Sequence, residues 1–148
     1  MPFKLKKVIS GGQTGADRAG LECARDLGLE TGGWAPRGFR TENGPDPSLK
    51  DFGLVETASD DYPTRTRYNV RDSDATIWFG SKSPGYWCTK KAADKLGKPF
   101  IENPTNTQHI VIVDRCETIN IAGNRLSTNP NAAKAVEWFF GLVQECII

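Results

Sequence analysis

Lys7-Val8-Ile9-Ser10 reads as a short strand, and it runs without a break into Gly11-Gly12-Gln13-Thr14-Gly15-Ala16-Asp17. An amphipathic helix follows at once through Leu21, Ala24 and Leu27, and Gly28 stops it. Strand, glycine-rich turn and helix in this order is the geometry that holds phosphate. Glycines let backbone come close to a ligand, and the first free N–H groups of the helix point at an anion.

The spacing itself is not a standard one. The glycines fall as G-G-x-x-G, unlike the dinucleotide-binding G-x-G-x-x-G, and no Lys-Ser or Lys-Thr follows as in a Walker A loop. Two readings therefore stand side by side at this point, an anion site and a plain tight turn. Thr14 is expected to cap the helix, and Gln13 and Thr14 add side-chain donors at its positive end. Asp17 suits the same helix end electrostatically, or else contacts a ribose hydroxyl or a metal.

Further along, strands and helices alternate. A short strand at Leu29–Thr31 leads into a loop, Gly32-Gly33-Trp34-Ala35-Pro36-Arg37-Gly38, in which Trp34 and Arg37 form one wall of a pocket. Residues 41–50 read as a surface loop, and Leu54-Val55-Glu56-Thr57 as a strand. Asp61 caps a helix with Pro63 in its first turn, running to about Asp72. Ala75-Thr76-Ile77-Trp78-Phe79 is a buried strand, and the turn Gly80–Thr89 leads to a helix closed by Gly97. Strands at Lys98–Glu102 and Thr118–Ala122 follow, and a last helix starts near Asn131. The segment His109–Glu117 has strand composition, but a parallel sheet needs a crossover there, which favours helix. The expected fold is α/β: one three-layer Rossmann-like domain over residues 1–148 with a mostly parallel sheet.

The chain's 148 residues suit one domain, and its formal charge of +1 gives no field to recruit nucleic acid or an anionic membrane. No apolar stretch is long enough to span a bilayer and no signal-peptide core is visible, so a cytoplasmic location is expected. Cys23, Cys88, Cys116 and Cys146 form no C-x-x-C pair and match no zinc spacing. Cys23 is expected to pack in the first helix; Cys88 stands near a second helix start. His109, the only histidine, has no partner nearby in sequence.

In a doubly wound sheet the ligand sits at the carboxyl ends of the strands, where strand order reverses. Three glycine-containing turns lie at such ends, Gly11–Gly15, Gly80–Gly85 and Gly123–Arg125, and their convergence marks a binding crevice. Candidate ligand contacts are Ser10, Gly11, Gly12, Gln13, Thr14 and Gly15 in the first turn and Ser83, Gly85 and Thr89 in the second. Arg65 shares a helix face with Asn69, one turn on, and its guanidinium matches phosphate oxygens with two parallel hydrogen bonds. Arg125 and Arg37 have similar chemistry, and Glu56 is a candidate base or ribose contact. No catalytic set and no metal-ligand cluster is legible. Trp78 is expected in the core, with Tyr86 or Trp87 covering a flat ring or packing between subunits.

These same motifs carry a family resemblance. Ile9-Ser10-Gly11-Gly12-Gln13-Thr14-Gly15-Ala16-Asp17-Arg18-Ala19 and Gly32-Gly33-Trp34-Ala35-Pro36-Arg37-Gly38 resemble motifs of the molybdenum carrier (molybdenum cofactor carrier-like) family. So do Leu54-Val55-Glu56-Thr57 with Tyr62, Arg65-Thr66, Asn69-Val70 and Ser73-Asp74-Ala75-Thr76, then Ser83-Pro84-Gly85 with Thr89, and Asn120-Ile121-Ala122-Gly123-Asn124-Arg125. The family is a compact relative of the lysine decarboxylase-like (LOG) group. The resemblance implies a Rossmann-like fold, a homo-oligomer (dimer or tetramer), and a bound anionic ligand, molybdenum cofactor or a nucleotide-like phosphate. Two positions depart from the family pattern: Ser83-Pro84-Gly85-Tyr86 where Gly-Gly-Thr is common, and Asn124 where proline is common. The Gly-Gly-x-Gly-Thr-x-x-Glu signature of nucleoside-monophosphate-cleaving relatives is absent.

Three readings follow as expectations. One is a binding or carrier protein for a phosphorylated pterin-type cofactor such as molybdenum cofactor. Another is an enzyme or sensor acting on a nucleotide or ADP-ribose-like ligand. The third is a scaffold whose glycine turns are only structural. The lack of a compact acid–base–nucleophile set favours binding.

Overall fold

The computed structural model describes residues 3–147. Along the chain run β1 (Lys7–Ile9), α1 (Ala16–Asp26), β2 (Glu30–Ala35), β3 (Arg40–Thr41), β4 (Gly44–Pro45), a 3₁₀ turn (Pro47–Phe52), β5 (Leu54–Glu56), α2 (Tyr62–Arg71) and β6 (Ala75–Phe79). They are followed by α3 (Pro84–Leu96), β7 (Phe100–Glu102), α4 (Gln108–Arg115), β8 (Thr118–Gly123) and α5 (Asn131–Ile147). Six strands make one sheet in the order β5-β2-β1-β8-β6-β7. Every pairing in it is parallel, and only the small β3–β4 hairpin is antiparallel.

Alternation along the central strands sorts two very different faces. Ile119 and Ile121 of β8 and Ile77 and Phe79 of β6 join Ala16, Ile112, Val136, Phe139 and Val143 in the main apolar core under α1, α4 and α5. Full burial of each Ile, Val or Phe side chain among them contributes about 1.5–3 kcal/mol. The opposite face, under α2 and α3, is largely polar. Asn120 donates to the Thr76 hydroxyl across 3.2 Å, and Asn69 of α2 closes two hydrogen bonds on the Trp34 backbone, 2.8 and 3.0 Å. The apolar contacts there shrink to Val70, Ala92 and Ala93, and to Trp78, Tyr86 and Ala122. Two helices held over a polar floor leave room for a cleft, and the cleft is on this side.

The three-layer α/β fold with a parallel sheet is as expected, and His109–Glu117 resolves as the helix α4 that the crossover requires. Several boundaries differ. Residues 32–35, expected in a loop, form the last four of the six residues of β2, because β5 pairs with Gly33, Trp34 and Ala35 and draws the strand onward. Gly33 takes φ +127°, with the Ser10 backbone where a Cβ would lie, so a residue that looks like a loop glycine is a strand glycine. The expected surface loop 41–50 holds the tip of the β3–β4 hairpin and most of the 3₁₀ turn, whose Leu49 and Phe52 are buried with Leu21 and Leu54. The turn after β6 is short, since Pro84 opens α3 behind a Ser83 cap and puts Tyr86 to Thr89 on the helix. Thr14 does not cap α1. Gly15 is the N-cap, without a side-chain bond, and the helix begins at Ala16.

Candidate functional site

β1, β2 and β5 build the sheet in one direction; the chain then crosses by α2 to β6 on the other side of β1, and β8 fills the gap between them. Strand order reverses there, and a crevice of about 540 Å³ opens at the carboxyl ends of β1, β8 and β6. The starts of α2 and α3, the β1–α1 turn and the segment after β8 bound it.

At its foot the β1–α1 turn is already occupied by a carboxylate of its own. Asp17, buried on the first turn of α1, accepts the Gln13 N–H at 3.2 Å and lies within reach of the Gly11 N–H. The Ser10 hydroxyl donates to the Asp17 carbonyl and accepts from Gly12. The Ala16, Arg18 and Ala19 N–H groups go to the carbonyls of Asn124, Gln13 and Gly15. Much of the positive helix end that would hold an anion is thus spent on the protein itself. Burial pushes the Asp17 carboxyl up to about 6, against the pull of Arg65 and of the turn's N–H groups.

The turn's glycines serve the same internal packing. A Cβ on Gly12 (φ +77°) would meet Leu49 at 2.6 Å, and one on Gly15 (φ +83°) would meet the Asn124 carbonyl at 2.5 Å. A Cβ on Gly11 would strike Arg65 instead, so that glycine clears the path of the guanidinium. In this packing the glycines bring in Arg65, Leu49 and the segment after β8.

Positive charge comes from two arginines on separate elements. Arg65 of α2 lies 3.6 Å from the Asp17 carboxylate, and Arg125, just past β8, makes no ion pair among the described residues. Both guanidinium groups lie 5.3 Å from the Tyr62 ring. Donors without acceptors surround them. Gln13 Oε1 accepts the N–H groups of Thr14 (3.1 Å) and Glu42 (2.9 Å), which fixes the amide and leaves Nε2 buried with no partner. Arg65 Nε and Trp78 Nε1 are also buried without partners, and all three residues line the crevice. Such groups are costly unless something with acceptors satisfies them.

Two polar staples hold the walls in register. Asn124 accepts from the Ser81 N–H (2.7 Å) and hydroxyl (3.1 Å) and donates to the Ser81 carbonyl (3.2 Å), tying the β6–α3 turn to the end of β8. Glu42, at the hairpin tip, accepts from the hydroxyls of Thr14 and Ser127 and from the Ser127 N–H. Desolvation pushes the Glu42 carboxyl up, but the bonds from Ser127 and Thr14 prevail and hold it below the usual range.

Of the residues expected at the site, Gln13, Arg65, Ser83, Gly85, Thr89 and Arg125 line the crevice. Gly11 and Asn69 line a small recess beneath it. Ser10, Gly12, Thr14 and Gly15 are consumed in the turn's own packing and hydrogen bonds. Arg37 and Glu56 lie elsewhere: Arg37 donates to the Ala58 carbonyl, and Glu56 accepts from the Gly38 N–H. Trp34, expected in the pocket wall with Arg37, stacks edge-on against Tyr68 and donates to Asp72 instead. Sequence reasoning missed Tyr62, Trp78 and Cys88 as crevice residues, and left Asp17 between a helix-end charge and a contact to a ribose hydroxyl or a metal. Asp17's spacing from Gly15 was the available signal. Among the described residues no group of three or more His, Cys, Asp or Glu side chains could hold a metal. Among the described residues no helix is long and apolar enough to cross a membrane.

The family model described as "Circularly permutated YpsA SLOG family" matches residues 8–143. The chain belongs to that family. Within the solved structures this SLOG chain is similar to one titled "Putative molybdenum carrier protein", from Syntrophus aciditrophicus SB. The two share 32% identity with a TM-score of 0.84, over 95% of this chain and 96% of the other. The resemblance to the molybdenum carrier family drawn from the motifs is thereby borne out. No curated protein matches the SLOG chain.

Proposed function

We propose that the crevice binds a small phosphorylated ligand, with the protein acting as its carrier or binding protein. The observation that carries this reading is the set of buried donors without acceptors, Gln13 Nε2, Arg65 Nε and Trp78 Nε1, beside the two guanidinium groups of Arg65 and Arg125. Donors in excess call for a ligand rich in oxygen acceptors. The crevice lining also mixes polar and apolar groups. Arg65, Arg125 and Gln13 suit an oxyanion, whereas Trp78, Pro84, Gly85 and Ala122 offer an apolar wall to a ring. Molybdenum cofactor and nucleotide-like phosphates both have this form, and the name of the similar structure favours the first. In either case the arginines and Gln13 would hold the phosphate, and a metal would arrive as part of the ligand.

Native mass spectrometry of freshly purified protein, with metal analysis, tests the reading. A co-purifying pterin or nucleotide mass is expected, and its loss in Arg125→Ala. A protein that binds no phosphate, nucleotide, molybdate or pterin by calorimetry would overturn it. One observation favours a second reading, an enzyme acting on a nucleotide-like ligand: a buried acid in a cleft, held near 6, is what general acid–base chemistry uses. Turnover of a nucleotide that disappears in Asp17→Asn would replace the carrier reading with that one.

A further inference from the structure

We propose that Asp17 sets the protonation state of the complex: an oxyanion enters the crevice together with one proton, which the Asp17 carboxyl carries and donates to a ligand oxygen. This rests on the anion-binding reading above. Asp17 is the only carboxylate among the residues lining the crevice, and it is buried at its foot. It already draws on the N–H groups that an anion would want, and on Arg65, 3.6 Å away. A ligand oxyanion on Arg65 therefore meets a like charge on a buried carboxylate, which favours the neutral form of one of the two.

The surroundings leave the proton nowhere else to go. From α2 the crevice receives Arg65 and the Tyr62 ring, and from the segment after β8 it receives Arg125. From α3 it receives the Cys88 thiol and the Thr89 hydroxyl, with no charged group. Within α1, the neighbouring Arg18 turns away to Glu22 and Asp46. Among the described residues the charges that act on Asp17 there are Arg65 and Arg125, with the Glu42 carboxylate, held by Thr14 and Ser127, beside Arg125. Both arginines favour the Asp17 carboxylate in the free protein. An incoming anion takes up that positive charge and adds its own negative charge, so both changes favour the carboxyl. Burial has already brought Asp17 close to that balance. Binding takes one proton from solvent, and release of the ligand returns it.

Sodium sulfate is the probe, because it is a tetrahedral oxyanion that does not itself titrate between about pH 5 and pH 8. Calorimetry at constant ionic strength, in two buffers of different ionisation heat, counts the protons. The expected result at about pH 8 is uptake of about one proton per sulfate, with affinity falling up to tenfold per pH unit above about 6. Asp17→Asn should bind with little pH dependence and, at about pH 8, more tightly than wild type. The proton count on the wild type needs no variant, so it decides even if Asp17→Asn fails to fold. Binding without proton uptake, or a pH slope unchanged in Asp17→Asn, overturns this proposal and leaves the anion site standing. No sulfate binding by the wild type at either pH overturns both.

Discussion

The Asp17 carboxylate and the Arg65 guanidinium face each other across 3.6 Å at the foot of the crevice, the acid shielded from water and the base nearly so. The pair is held from both sides. Gly11 lacks the side chain that would block Arg65, and the Gln13 N–H fixes the acid. It is nevertheless a strained electrostatic arrangement, because Arg65 Nε is left buried without a partner.

That arrangement has a pH signature in stability. The folded Asp17 carboxyl keeps its proton to about 6, whereas the unfolded chain releases it near 3.8. The folded state therefore binds more protons between about pH 4 and pH 6, and stability falls as pH rises through that window. Two pKa units correspond to roughly 3 kcal/mol at neutral pH. Asp17→Asn removes this penalty. Urea denaturation should show the variant gaining stability at about pH 8 relative to wild type, with the gain vanishing below about pH 4. A variant equally destabilised at both pH values would contradict the account.

The two arginines should separate binding from folding. Arg125 has no ion-pair partner among the described residues, so Arg125→Ala should weaken anion binding about 10- to 100-fold with little change in melting temperature. Arg65→Ala strips Asp17 of its counter-ion and vacates the space beside Gly11, and should lower both affinity and stability. Calorimetry and thermal melts on the same two preparations check the contrast. Loss of stability in Arg125→Ala would mean that its charge is structural.

Glycine substitutions in the first turn probe packing. Gly15→Ala puts a methyl group at positive φ within 2.5 Å of the Asn124 carbonyl, and about 3 kcal/mol or more of stability should be lost. Gly28 has a similar positive φ, but a Cβ there would meet nothing within 4 Å. Gly28→Ala should cost only about 1–2 kcal/mol. Equal losses from the two in equilibrium denaturation would show that backbone strain, rather than the approach of the segment after β8, dominates.

The sequence made the layer order, the parallel sheet and α4 legible, because periodicity and the crossover requirement are local or nearly local signals. Arg65 was legible through its spacing from Asn69. The fate of the Gly11–Gly15 turn was not. Whether a glycine admits a ligand or a side chain from residue 65 or 49 depends on packing between distant segments, and the same pattern fits both. Glu42 was hidden for a related reason: its partners Thr14 and Ser127 lie 28 and 85 residues away. Arg37 and Glu56 sit in glycine-rich or strand-end positions like the true crevice residues, but β5 is the outer strand and lies far from the point where strand order reverses.

Asn124 departs from the proline that the family resemblance implies at this position, and the structure gives it work that proline could not do. Its side chain exchanges hydrogen bonds with Ser81 and reaches Ser83 Oγ at 3.4 Å, while its own N–H donates to the Phe79 carbonyl at 3.1 Å. Asn124→Ala keeps the backbone bond but leaves the Ser81 N–H without its acceptor, for a cost of about 1–3 kcal/mol. Asn124→Pro removes the backbone donor as well, and should be the more damaging change. Because the staple joins the start of α3 to the Arg125 segment, both variants should also weaken anion binding while Arg125 itself is intact. Hydrogen exchange at the Ser81 amide gives the direct readout. Its protection should fall in both variants, and unchanged protection would show that the β6–α3 turn holds its place without Asn124.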